Sequence, residues 1–269
     1  MAIITISRGT FSGGQSLAQC IAEKLGYRCI SRKVLVGAAK QYGVPLEKLS
    51  KALAEPPAFL ERLTTERVHY LAYIRAAIYK EVRNDRVVYH GLAGHLLLLK
   101  GTPHVLRVRV IADMEFRIKA AMERNNLSRE KAIKFINDVD EKRVKWTRFL
   151  YHADWHDPSL YDIVINLEHI SIDDACEVVS YIASLDKFKS TPESQKIMDD
   201  MVLSTEVRAA VAGSAGNADA GIEIEADGGV ITISGTVGSL VEADKIREIA
   251  KKMPGVTEIN SKMGISTHW

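Results

Sequence analysis

An apolar run, Ile3-Ile4-Thr5-Ile6, passes directly into Gly9-Thr10-Phe11-Ser12-Gly13-Gly14-Gln15-Ser16, after which Leu17, Ile21 and Leu25 share one helical face. A strand that turns into a helix through a glycine-rich loop commits the chain to an α/β architecture, because a parallel strand needs a crossover to reach its neighbour. Short strand candidates then alternate with helical patterns at Arg86 to His90, Val105 to Ile111 and Asp162 to Asn166. The alternation predicts a parallel sheet flanked by helices, with ligands bound beyond the carboxyl ends of its strands.

Apart from Gln15, the loop fits the phosphate-binding pattern G-x-x-x-x-G-K-[ST]. Glycines let consecutive backbone N–H groups turn towards a phosphate, and the helix start adds a favourable dipole. Gly9, Ser12, Gly13, Gly14, Gln15 and Ser16 are therefore the candidate nucleotide-binding residues, with the Ser16 hydroxyl on the Mg²⁺ side. An amide at position 15 cannot neutralise the β- and γ-phosphates as lysine does, so either another cation reaches in or turnover is weak.

Charge divides the chain in the same sense. Residues 1–196 hold 30 Lys+Arg against 23 Asp+Glu, net +7; the remainder holds 6 against 11, net −5. A basic first part suits an anionic ligand, and an acidic second part argues against nucleic acid or anionic lipid as its direct partner. Apolar stretches such as Leu96 to Leu99 are far shorter than the ~20 residues of a membrane span. The opening residues show no basic leader, so the expectation is a cytoplasmic protein. Cys20, Cys29 and Cys176 show no CxxC spacing and read as reduced core thiols.

Cations also recur in mid-chain. Arg117 and Arg124 lie seven residues apart, on one face of a predicted helix, and Asp138, Asp140, Arg143 and Arg148 follow on a second helix after Asn125-Asn126-Leu127-Ser128. Such a pair can close over a polyphosphate as an arginine-rich lid, and phosphoryl transfer is catalysed largely by positioning and charge. Asp113, after the Val105 to Ile111 strand, reads as a helix cap.

Ile4-Thr5-Ile6-Ser7-Arg8 running into Ser12-Gly13-Gly14 resembles the opening of the cytidylate-kinase-like family, in which an arginine commonly stands where this chain has Gln15. Asp140 to Arg143 resembles that family's D-x-x-R, and Trp155, Asp157-Pro158 and Tyr161-Asp162 resemble its W-x-D-P-x-x-Y-D. The resemblance covers about residues 1–185. It implies a P-loop nucleoside monophosphate kinase using ATP and Mg²⁺, with Arg117, Arg124 and Arg143 stabilising transferred charge. Arg32 and Asp140 then fall on the substrate side. Where the family shows Gly-Arg after its middle strand, this chain has Gly91-Leu92, flanked by His90 and His95, which read as structural. The alternative is a nucleotide-binding regulator with little turnover.

Around residues 186–197 apolar density drops and Pro192 follows Ser-Thr, which predicts a linker. Beyond it come a helical stretch at Val202 to Val211, alternating residues around Asp227-Gly228-Gly229, a helix from Val241 to Met253 and a strand from Val256 to Ile265. Residues 198–269 thus predict a small α+β domain, and their order resembles a BON domain. That resemblance implies an interaction unit, for which a protein or small-ligand partner is expected.

Overall fold

The computed structural model describes residues 1–32, 37, 63–91, 93–214 and 221–266. Its first sheet has five strands: β1 (Ile3–Arg8), β2 (Arg28–Ser31), β3 (Val87–His90), β4 (Val105–Ile111) and β5 (Ile163–Asn166). They lie in the order β2-β3-β1-β4-β5, and every neighbouring pair is parallel. The predicted α/β class is what the chain adopts. Strand β1 runs down the middle because both its faces are covered: Ile3 to Ser7 are all buried. The chain visits β2 and β3 on one side of β1 and then crosses to β4 on the other, so a crevice opens beyond the carboxyl end of β1.

Helices α1 (Gly14–Leu25) and α6 (Ile172–Ser184) share one face of this sheet. Leu17, Ile21 and Ala22 of α1 pack with Ala175, Cys176 and Val179 of α6 over Ile4, Ile6, Leu106 and Val108. This packing corrects the reading of three free thiols: Cys20 and Cys176 form a disulfide, with Cα atoms 6.1 Å apart, and among the described residues only Cys29 is free. Sequence spacing is silent here because the bridge joins residues 156 apart that only helix packing makes neighbours. A cross-link over so long a loop stabilises typically ~2–4 kcal/mol by restricting the unfolded chain. Dithiothreitol is accordingly expected to lower the melting temperature by roughly 5–10 °C, while a Cys20→Ser variant melts alike with and without reductant. A wild-type transition indifferent to reductant contradicts the bridge.

Two further helices, α4 (Met114–Asn125) and α5 (Arg129–Tyr151), form a hairpin after β4. Asp113 caps α4 by accepting from the Phe116 N–H at 2.8 Å, and Ser128 caps α5. The hairpin has its own small core of Ile118, Ala121, Ala132 and Ile136. Short α3 (Gly94–Leu97) precedes β4.

The second compact unit joins α2 (Leu63–Val82) to the chain from Thr191 onward. Here α7 (Pro192–Ser214) packs along α2, with Arg83 Nε 2.8 Å from Asp199. Pro192 thus begins a helix inside the stretch expected as a linker, and Phe188, in a 3-10 turn just before it, is buried in the first core. Strands β6 (Ile222–Asp227) and β7 (Val230–Val237) form an antiparallel hairpin, and β8 (Glu258–Ile265) runs parallel to β7. Gly228 and Gly229 make the predicted turn with φ of 57° and 92°, a region that L side chains rarely enter. Helix α8 (Leu240–Lys251) covers this sheet through Ala243, Ile246 and Ala250, meeting Val207 and Val211 of α7.

Candidate functional site

The loop between β1 and α1 is shaped by its own residues. Ser12 is buried and its Oγ donates to the carbonyls of Gly9 and Val110 at 3.0 and 3.3 Å, which ties the loop to the end of β4. Of Gly9, Gly13 and Gly14, only Gly13 has a positive φ, 82°. The others supply room. A Cβ on Gly9 would stand 3.4 Å from the Arg117 guanidinium carbon, and one on Gly14 only 2.8 Å from Arg8 Cβ and Cδ.

Gly13 caps α1 without any side-chain hydrogen bond, and no acidic residue stands in the first turn. The N–H groups of Gly14, Gln15 and Ser16 thus begin a helix with no carboxylate to satisfy them, which is the arrangement that receives an anion. Gln15 is exposed at this turn and carries no charge.

The predicted lid residues reach this loop. Arg117 Nε donates to the Thr10 carbonyl at 2.8 Å, and its Nη2 pairs with Asp140. Asp140 also accepts from the Thr10 N–H at 3.0 Å and the Thr10 hydroxyl at 2.7 Å. Arg143 donates to the Arg8 carbonyl at 3.2 Å and lies 3.5 Å from Asp140. Arg124 Nη2 donates to Ser16 Oγ at 3.3 Å. Phe11 at the loop tip packs into the core of the α4–α5 hairpin, its ring centroid 6.0 Å from that of Phe135. The lid is therefore docked on the loop through both apolar and polar contacts. Asp138 and Arg148, from the same stretch, are exposed on α5.

Electrostatically the site is a concentration of guanidinium groups. Burial, and then the neighbouring Arg8, Arg117 and Arg32, press Arg143 down to about 10 against the opposing help of Asp140. Burial and Arg124 likewise lower Arg8, and burial lowers Arg32. Arg32, just after β2, and Arg8 both lie beside the phenol of buried Tyr89 at the end of β3; burial raises that phenol well above its ordinary value. Arg8, Arg32 and Arg117 thus act on Arg143, Arg124 acts on Arg8, and Asp140 pairs with Arg117 and Arg143. Cations that destabilise one another's charge need an anion to be at ease.

The histidines flanking Gly91 are held neutral: burial and then Arg8 take His90 down to about 4, and burial followed by Arg107 and Arg109 takes His95 to about 3. Neither is a proton donor near neutral pH. Leu92 lies outside the described residues. The W-x-D-P-x-x-Y-D residues serve the scaffold. Trp155 Nε1 donates to Ser7 Oγ at 2.7 Å, Asp157 caps the turn at Pro158 through the Ser159 N–H, and Asp162 accepts from the Arg107 N–H at 2.8 Å.

Asp113 and Asp140 are engaged by protein donors, and among the described residues no group of three His, Cys, Asp or Glu is placed to hold a metal ion. The donor set offers Mg²⁺ one hydroxyl, Ser16 Oγ. That fits a metal arriving on nucleotide phosphates and does not fit one caged by the protein.

The site residue that sequence reading passed over is Arg8. It appears there only as part of a motif. A cation one residue ahead of the first glycine, in a loop lacking its lysine, was the available signal.

Residues 3–169 match the cytidylate kinase-like family and residues 199–266 match the BON domain. Over 189 residues the chain is 25% identical to the cytidylate kinase of Methanocaldococcus jannaschii, covering 70% of this chain and 99% of that protein. It is 29% identical over 171 residues to the cytidylate kinase of Ignicoccus hospitalis, covering 62% and 90%. A crystal structure of an uncharacterized protein from Eubacterium ventriosum superposes with a TM-score of 0.53 at 21% identity, over 69% of this chain and 100% of that one, a likeness of fold.

Proposed function

The chain belongs to the cytidylate kinase-like family and carries a BON domain, and from that premise we propose that it transfers the γ-phosphoryl group of ATP to a nucleoside monophosphate of the cytidylate type. The observation that carries the proposal is that Arg117 and Arg124 reach the loop at Thr10 and Ser16 while Arg143 reaches the Arg8 carbonyl just before it, with Arg117 and Arg143 sharing Asp140. The amides of Gly13 to Ser16 hold the donor phosphates, and Arg32 faces the acceptor phosphate. Asp140 acts as a positioning residue, since its oxygens are taken by Thr10, Arg117 and Arg143.

In the transfer, an acceptor phosphate oxygen donates its electron pair to the γ-phosphorus. The bond to the β–γ bridging oxygen breaks, and ADP leaves with that pair. The acceptor oxygen is already ionised near neutral pH, so no general base is required. Negative charge spreads over the equatorial γ-oxygens, where the guanidinium groups stabilise it. Ser16 Oγ is the side-chain oxygen that would hold Mg²⁺ arriving with the nucleotide, which would supply further positive charge.

A second reading is supported by the uncharged Gln15: a nucleotide-binding regulator with little turnover, which passes its bound state to a protein or small-ligand partner through the BON domain. A cytoplasmic location belongs to both readings. Among the described residues no helix is long and apolar enough to cross a membrane. ADP release measured with CMP, dCMP, UMP and AMP separates the two. Stimulation by CMP is expected; measurable ATP binding without acceptor-stimulated ADP eliminates the enzyme reading.

A further inference from the structure

The loop that receives the triphosphate lacks its lysine, yet a cation already lies along it. Arg8 ends β1, and its aliphatic stem rests against Gly14, the first residue of α1. Only glycine at position 14 leaves space for it, since a Cβ there would come within 2.8 Å of Arg8 Cβ and Cδ. The Arg8 backbone is anchored as well, its carbonyl accepting from Arg143. A side chain so placed is fixed at the helix start.

The surroundings of its head group are unusual for an arginine. Arg8 Nε is buried and has no hydrogen-bond partner. The charged groups that act on it are Arg124 and, from its own influence on that group, Arg143, both cations. Among the described residues no carboxylate pairs with it within 4 Å, whereas Arg117 and Arg143 have Asp140. A part-buried guanidinium whose Nε is buried without a partner and whose charged neighbours are cations is a group suited to an anion.

Its neighbours connect it to both parts of the site. Arg8 lies near Arg124, which touches Ser16, and near Tyr89 and His90 at the end of β3, with Arg32 also near Tyr89. We infer that Arg8 replaces the missing P-loop lysine, its guanidinium holding the γ-phosphoryl group of the triphosphate from the β1 side of the loop. This rests on the phosphotransferase reading. A planar guanidinium can span two phosphate oxygens where an ammonium offers a point charge, so the substitution keeps the charge while changing the direction of approach. Arg8 moves no proton and forms no covalent bond.

The test uses the full-length protein and four forms: wild type, Arg8→Gln, Arg8→Lys, and Arg8→Gln combined with Gln15→Lys. Arg8→Gln is expected to lower kcat by about 10²–10³-fold. ATP affinity should fall about tenfold or more, while ADP, which has no γ-phosphate, binds with little change. Arg8→Lys keeps the stem on Gly14 and should retain a substantial part of the activity. Lysine at position 15 should restore at least about tenfold of the loss, because it returns the charge from the other direction.

Three results overturn the inference: unchanged kcat and ATP affinity in Arg8→Gln, equal losses for ATP and ADP, or a loss that Gln15→Lys leaves in place. Should wild type bind ATP without acceptor-stimulated ADP release, the phosphotransferase reading fails by itself, and Arg8 is still judged by its ATP-to-ADP affinity ratio. Wild type that binds neither ATP nor inorganic tripolyphosphate overturns both.

Discussion

Replacing Arg124 with alanine is expected to reduce kcat for phosphoryl transfer by about 10²–10³-fold while leaving the melting temperature within about 2 °C of wild type. The asymmetry follows from where the side chain sits. Arg124 is exposed on α4, and the contact it makes with the loop is a 3.3 Å hydrogen bond to Ser16 Oγ. Removing an exposed side chain opens no cavity and strands no buried partner, so stability has little to lose. Catalysis has more at stake, because Ser16 stands at the helix start proposed to hold the donor phosphates. Parallel measurement of kcat, KM and thermal unfolding decides the matter. A fall in melting temperature matching the loss of rate would make Arg124 a structural residue, and an unchanged kcat would remove it from the reaction.

Asp140→Asn is expected to behave in the opposite way, with stability falling first. Its carboxylate receives the Thr10 N–H and hydroxyl and faces both Arg117 and Arg143. Asparagine keeps the shape but removes the negative charge that pairs with Arg117 and Arg143, which Arg8 and Arg32 also adjoin. Breaking a part-buried network of this kind costs about 2–4 kcal/mol, or roughly 5–15 °C in the first unit's transition. Polyanions should then rescue the variant. Inorganic tripolyphosphate is expected to raise the melting temperature of Asp140→Asn by more than that of wild type, since binding any ligand to the folded state stabilises it by mass action. Equal shifts in the two proteins would show that Asp140 does not balance the cluster.

Much of this site was legible in the sequence because its signals are local. The strand, the glycines and the following helix face are contiguous, and short-range sterics make a strand-to-helix turn of such a run. Arg117 and Arg124 share a face through helical periodicity alone, and Asp113 and Ser128 announce their caps by residue type. The tryptophan, aspartate and tyrosine of the later motif were equally visible, but their use was not. Sequence order cannot tell that Trp155 reaches Ser7 or that Asp162 receives the Arg107 N–H, because both are pairings across strands and loops.

Other features depended on packing between distant segments. Cys20 and Cys176 meet because α1 and α6 lie on the same sheet face. Helix α2, which lies within the first 185 residues, groups with the C-terminal residues because it packs on α7. Phe11 lies in the loop, and only the fold shows that it packs against the hairpin core.

By itself the amino-acid order determined the parallel sheet, the phosphate loop and its missing lysine, and a second small domain of distinct charge. Each follows from interactions between residues close in the chain. Tertiary structure alone decided which cations gather at that loop: Arg124 meets Ser16 across 108 residues, and Thr10 meets Asp140 across 130. Attraction and repulsion between guanidinium groups act through space, and only the folded chain sets the distances on which they depend.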